Sequence, residues 1–171
     1  MTEKRSRIAT ERLVLRLFDE NDARSGIKLL MNEEVSKTYM IPELKSAEEA
    51  GELFRRIAES GRENDRIEYG IYRDGALIGF INDCGIDEGT VELGYVIDPA
   101  HKGNGYATEA LSAVIGEVFR MGYRRVVCGY FDGNDASRRV MEKCGMIPLS
   151  QEDEIEYRGI VHRCLYCYID K

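Results

Sequence analysis

VIDPAHKGNGYATEAL, Val96 to Leu111, is the stretch on which the reading of this sequence turns. An apolar run ends at Asp98 and Pro99. Gly103 and Gly105 follow, one residue apart, and a helical pattern then starts that continues to about Met121. Ala107, Ala110, Leu111, Val114, Ile115, Val118 and Phe119 form its apolar stripe, and Gly122 stands where a C-cap glycine belongs. A strand thus runs into a glycine-flanked turn at the mouth of a helix. A helix N-terminus presents unpaired backbone N–H groups and a partial positive charge. Glycines allow positive φ and a close approach to the backbone. A phosphate or diphosphate is the natural guest of such a turn, with Gly103, Asn104, Gly105, Tyr106, Ala107 and Thr108 placed to receive it. A tight turn without a ligand is the plain alternative.

Outward from this unit, RRVVCGYF reads as the next strand. Strand, helix and strand in this order want a right-handed crossover between parallel strands. Upstream the texture is antiparallel. IEYGIYR, the turn Asp74-Gly75 and ALIGFIN read as a hairpin, and Asp87 to Gly89 turns into the strand TVELGYVID. RLVLRLF, Arg12 to Phe18, reads as a strand. Asn21 and Asp22 cap a helix to about Met31, with Ile27, Leu30 and Met31 inward. Ser46, with Glu49 three residues on, starts another that runs to about Ser60. Asn134 caps a last helix with Ala136, Val140, Met141 and Cys144 inward. From Ile147 onward two strands meet near Tyr157 to Gly159. The fold class is α+β in one domain, residues 1–171: a mostly antiparallel sheet with one parallel pair and helices on its faces.

Composition narrows the function. The 171 residues carry 24 Lys and Arg against 31 Asp and Glu, a net charge of -7, which disfavours nucleic acid as a partner. No apolar run spans a membrane and the N-terminus lacks the core of a signal peptide, so a cytoplasmic protein is expected. Five cysteines form no framework. Cys84 and Cys128 sit in apolar runs and read as small hydrophobes. Cys164 and Cys167 lie in one strand and point to opposite faces, so no metal site is expected. The turn also fits neither common nucleotide motif. There is no GxxxxGK[ST], and Gly105 is followed by Tyr106, Ala107 and Thr108 instead of completing GxGxxG.

KGNGYA, Lys102 to Ala107, resembles the [Q/R]xxGx[G/A] segment of the GNAT superfamily of acetyl-CoA-dependent N-acetyltransferases. Lys102 replaces the usual glutamine or arginine. Backbone amides do most of the binding there, so a small penalty is expected. NDASRRVMEKCG, Asn134 to Gly145, resembles the NxxSxxxxxKxG segment of the RimJ/RimL-like branch, which acetylates ribosomal-protein N-termini. TERLVLR and EYRGIVHRCLYCYI are similar to that branch as well. The resemblance covers nearly the whole chain. It implies acetyl-CoA as acetyl donor, no metal, a primary-amine acceptor (a protein N-terminus first, a polyamine or aminoglycoside next) and a monomer or homodimer. It also implies a splay between the parallel strands, Val91 to Asp98 and Arg125 to Phe131. There the pantetheine arm finds unpaired backbone near Tyr95, Val96 and Ile97, with Asn134 as a further hydrogen-bond partner.

Acetyl transfer needs a neutral amine, and an α-amine has a pKa of about 8. Glu92 is the candidate base, on the strand beside the splay; an ion pair with a nearby lysine or arginine is the structural alternative. Many relatives return the proton from a tyrosine four residues before the closing glycine of the last helix. Met141 stands at that position and cannot do it. Ser137 is the candidate acid instead, with a local cap as its alternative role. The acidic run Gln151 to Glu156 reads as a solvated loop. A non-catalytic acyl-CoA-binding module is the competing class.

Overall fold

The computed structural model describes residues 2–171. Among them, eight strands form one sheet in the order β1-β2-β3-β4-β5-β6-β8-β7. The strands are β1 (Arg7–Ala9), β2 (Val14–Arg16), β3 (Glu68–Arg73), β4 (Ala76–Asp87), β5 (Thr90–Ile97), β6 (Arg125–Phe131), β7 (Ile147–Tyr157) and β8 (Ile160–Asp170). Every neighbouring pair is antiparallel except β5 and β6. The helices are α1 (Ala23–Leu30), α2 (Glu33–Ser36), α3 (Ala47–Ser60), α4 (Tyr106–Met121) and α5 (Asp135–Lys143). No helix of the described residues is long and apolar enough to cross a membrane.

The hairpin turns follow their residues. Asp74 and Gly75 both take positive φ, as do Glu88-Gly89 and Arg158-Gly159, so each two-residue loop matches the right-handed twist of its strands. Helices then cover both faces. Val91, Leu93 and Ile97 of β5 pack with Ala110, Leu111, Val114 and Val118 of α4 in one core. Val96, from the opposite face of β5, packs with Phe18, Leu29 and Phe54 in the other. Each such side chain removed from water contributes about 1.5–3 kcal/mol, which is why the alternation along β5 fixes its register.

Several expectations are corrected. Met31 is 45% exposed, because α1 ends at Leu30 and the inward positions are Gly26, Leu29 and Leu30. The cap of that segment is Asp19, whose carboxylate accepts from the Asn21 amide and opens a 3-10 turn ahead of α1; Asp22 accepts from the Asp19 amide. Cys84 is exposed, being itself the extra residue of a bulge in β4 between Asp83 and Gly85 that breaks the alternation. Ala136 is exposed on α5, and Met141 is that helix's buried residue. The acidic run from Gln151 lies in β7, an edge strand, where charge discourages pairing with another chain. Strand β1 has only three residues and was not anticipated. Cys164 and Cys167 are free buried thiols on opposite faces of β8: Cys167 enters the α4 core and Cys164 lines a cavity on the other face.

Candidate active site

The parallel pair β5 and β6 holds together for three rungs, Thr90 with Arg125, Val91 with Val126 and Glu92 with Val127. Beyond Glu92 the two strands no longer pair. Each stays bonded on its outer edge, β5 to β4 as far as Ile97 and β6 to β8 as far as Phe131. Their facing edges therefore carry backbone groups without a strand partner, which a buried site must satisfy with something else.

A cavity of about 450 Å3 starts from this opening. Tyr95, Val96 and Ile97 line it on the β5 side. Lys102, Gly103, Gly105, Tyr106, Ala107 and Thr108 line its far end, and Asn134 and Ser137 its α5 side. Asn104 alone of the expected run does not line it. Gly103 and Gly105 have φ of 79° and 78°, the left-handed region that lets the loop close onto the start of α4. Among the described residues, the amides from Gly103 to Thr108 donate to no backbone or side-chain acceptor; the first amide bonded back is Glu109 to the Gly105 carbonyl. Three of these are the orphan donors of a 16-residue helix, and its dipole places partial positive charge beside them. Lys102 is half-exposed, with the Glu34 carboxylate 3.9 Å away.

A second cavity of about 130 Å3 opens on the other side of the splay and shares Thr38, Tyr39, Tyr95 and Ser137 with the first. Glu92 lines it at the last paired rung. Among the described residues its carboxylate has neither a hydrogen bond nor an ion pair, so the structural alternative for it is absent. Burial, and then the charge of Asp153, push its pKa above the usual carboxylate range. Ser137 sits at the junction. Its amide donates to Asn134 Oδ1 at 3.3 Å and its Oγ accepts from Asn134 Nδ2 at 3.1 Å, which leaves the hydroxyl hydrogen free. Tyr95 donates its hydroxyl to the Ser137 carbonyl at 3.1 Å, and burial raises that phenol far above its ordinary pKa.

The walls of the second cavity come from residues far apart in the chain. A Cβ on Gly94 of β5 would fall 2.9 Å from both Tyr39 Cε2 and Cys84 Sγ, so the Tyr39 ring packs directly against that glycine. Across the splay, a Cβ on Gly129 of β6 would fall 2.9 Å from Tyr166 Cε1. Two bare glycines on the diverging strands thus seat two tyrosines. Tyr39 is fixed by its hydroxyl, which donates to Asn82 Oδ1 at 2.5 Å. Arg139 and Lys143 of α5, the latter the lysine of the NxxSxxxxxKxG segment, also line the first cavity, and neither was assigned a role from the sequence. Their spacing of four on one helix face, with Ala136 a turn earlier, was a readable signal.

An acetyltransferase (GNAT) domain model matches residues 12–147. The chain belongs to the GNAT acetyltransferase family. It is 32% identical over 143 residues to the uncharacterized N-acetyltransferase YoaA of Bacillus subtilis (strain 168), covering 81% of each chain. Its fold is similar to that of a GNAT-family acetyltransferase from Bacillus anthracis, with a TM-score of 0.82, 24% identity and coverage of 96% of this chain and 98% of that one. It is also similar in fold to RimL, a ribosomal L7/L12 α-N-protein acetyltransferase solved in complex with coenzyme A, with a TM-score of 0.83, 19% identity and coverage of 95% and 96%. As a GNAT N-acetyltransferase the protein uses acetyl-CoA as acetyl donor. The free amides at the start of α4 and the unpaired edges of β5 and β6 suit a donor that combines a diphosphate with an amide chain.

Proposed function

We propose that this acetyltransferase acetylates the α-amine of a protein N-terminus, as the RimJ/RimL-like branch does, and that the two cavities divide the work within one domain. The observation that carries the reading is the loss of pairing between β5 and β6 after Glu92, which joins a cavity of free amides to one holding an unpaired carboxylate. Acetyl-CoA supplies the acetyl group as an activated thioester. The amides of Gly103 to Thr108, with Lys102, Asn104 holding the loop's shape and Thr108 adding a hydroxyl, seat the diphosphate. Asn134 and the unpaired backbone of Tyr95, Val96 and Ile97 hold the amide arm, and one of those N–H groups faces the oxyanion that develops during attack.

Glu92 removes the proton that an incoming ammonium must lose. A carboxylate with a raised pKa and no competing cation is a stronger base than one in an ion pair. Ser137 offers its free hydroxyl hydrogen toward the departing sulfur; Tyr95 does not, because its own hydrogen is committed to the Ser137 carbonyl.

The choice of an α-amine rests on the resemblance of TERLVLR and NDASRRVMEKCG to the N-terminal-acetylating branch, and on a fold shared with RimL. Thiol release from acetyl-CoA, followed with a panel of acceptors, tests it. Peptides with a free N-terminus are expected to give the highest kcat/KM. Faster turnover of spermidine, an aminoglycoside or N-blocked peptides with an internal lysine would overturn the acceptor and leave the donor site intact.

A further inference from the structure

The strand and loop ahead of Leu13 hold a contact that the proposed chemistry does not use. Glu109, in the first turn of α4, receives three hydrogen bonds from one short segment. They come from Thr10 Oγ1 at 2.6 Å, the Arg12 amide at 2.8 Å and Arg12 Nε at 2.8 Å. The same guanidinium reaches past the helix. Its Nη1 donates to the Asn104 carbonyl at 2.9 Å, and its carbon lies 4.9 Å from the centre of the buried Tyr106 ring. One arginine therefore ties three points of the glycine turn and the helix start. Asn104 completes the arrangement from within, its Nδ2 donating to the carbonyls of His101 at 3.0 Å and Lys102 at 3.1 Å.

We infer that Arg12 is a positioning residue for acetyl-CoA, which holds the Asn104 carbonyl away from the cavity and so keeps the amides of Gly103 to Thr108 open for an anion. The physical requirement is general. A turn binds an anion with its N–H groups only if its carbonyls are turned elsewhere, since a carbonyl oxygen facing the anion would repel it. Here the carbonyls of His101, Lys102 and Asn104 all have donors, and the two glycines supply the positive φ that orients them. Arg12 does not line the cavity; it acts through Asn104. Glu109 is the anchor of the device. Burial alone would raise its carboxyl, but the hydrogen bonds from Thr10 and Arg12 outweigh that and hold it below the usual range, so it stays ionised. The clamp also accounts for TERL at the start of the chain: Thr10 and Arg12 grip Glu109, while Leu13 is buried in the α4 core.

The inference rests on the diphosphate seat proposed above, and its test separates the two. Coenzyme A affinity is measured by calorimetry, and amide hydrogen exchange is followed over residues 103–108 with and without coenzyme A. In the unmodified protein those amides are expected to gain protection; if they do not, the seat itself is misplaced. Given protection, Arg12→Ala is expected to weaken coenzyme A by about tenfold or more, the scale of a lost charge-assisted hydrogen bond. KM for acetyl-CoA should rise by a similar factor, with kcat falling much less. Arg12→Lys keeps the charge but loses the two-armed geometry, and should resemble Arg12→Ala. Glu109→Gln, which slackens the anchor without removing Arg12, should weaken binding in the same direction. Unchanged affinity in Arg12→Ala, or full recovery in Arg12→Lys, would overturn the clamp.

Discussion

On the α4 side of the cleft, the groups free to bind are the amides of six consecutive residues, Gly103 to Thr108. Across the splay the facing groups are side chains from five separate segments: Tyr39 before α3, Cys84 of β4, Glu92 of β5, Tyr130 of β6 and Tyr166 of β8. The first half is local and made of backbone. Its shape follows from two glycines, a helix start and a clamp at Asn104. The second half is assembled from distant parts, and its shape depends on what each strand lets its neighbour do. Substitution of a residue in the second half remakes its wall directly, whereas the amides of the first half change only through the residues that hold their loop.

The largest effect is expected from Gly105→Glu. A carboxylate would enter the anion seat, and a residue with a Cβ would also be strained at φ 78°. Coenzyme A binding should fall below detection in a calorimetric titration, while the protein still unfolds cooperatively. Retained affinity would break the assignment of the local half.

Glu92→Gln should act on the other half. If Glu92 is the base, kcat should drop by about a hundredfold with coenzyme A affinity unchanged. The pH profile gives the sign. Burial and Asp153 raise the Glu92 pKa, so the carboxylate needed as base is lost as pH falls through that raised value. Turnover of the unmodified protein should therefore climb with pH above the normal glutamate range, and the variant should lose that limb. The same limb in both proteins would return Glu92 to a structural role.

Gly94→Ala is the finest probe. The added Cβ would lie 2.9 Å from the Tyr39 ring and from Cys84, so the ring must move. Overpacking of this kind costs about 1–3 kcal/mol. The acceptor kcat/KM should fall by roughly tenfold, with KM for acetyl-CoA unaltered. A change in the donor constant instead would show that the two halves are coupled through β5.

Much of the molecule could be read along the chain. Asp74-Gly75 announced its hairpin, the stripe from Ala107 to Phe119 announced α4, and Asn134 announced the cap of α5, because each depends on residues within one or two turns of one another. The failures share a cause. Met31 was placed inward by periodicity, but the helix ended one residue earlier. Cys84 was placed inward by its apolar neighbours, but a bulge turned it out.

The sequence by itself determined the turn of free amides ahead of α4, since positive φ at Gly103 and Gly105 and the orphan amides of a helix start are properties of consecutive residues. Tertiary structure alone decided that no cation among the described residues would pair with Glu92, that Tyr39 and Tyr166 would pack against Gly94 and Gly129, and that Arg12 would reach the Asn104 carbonyl. These residue pairs lie between 37 and 92 residues apart in the chain where the sheet brings them together. No local preference encodes such a meeting; it follows from burying two faces of one sheet at once, which fixes every strand's register together.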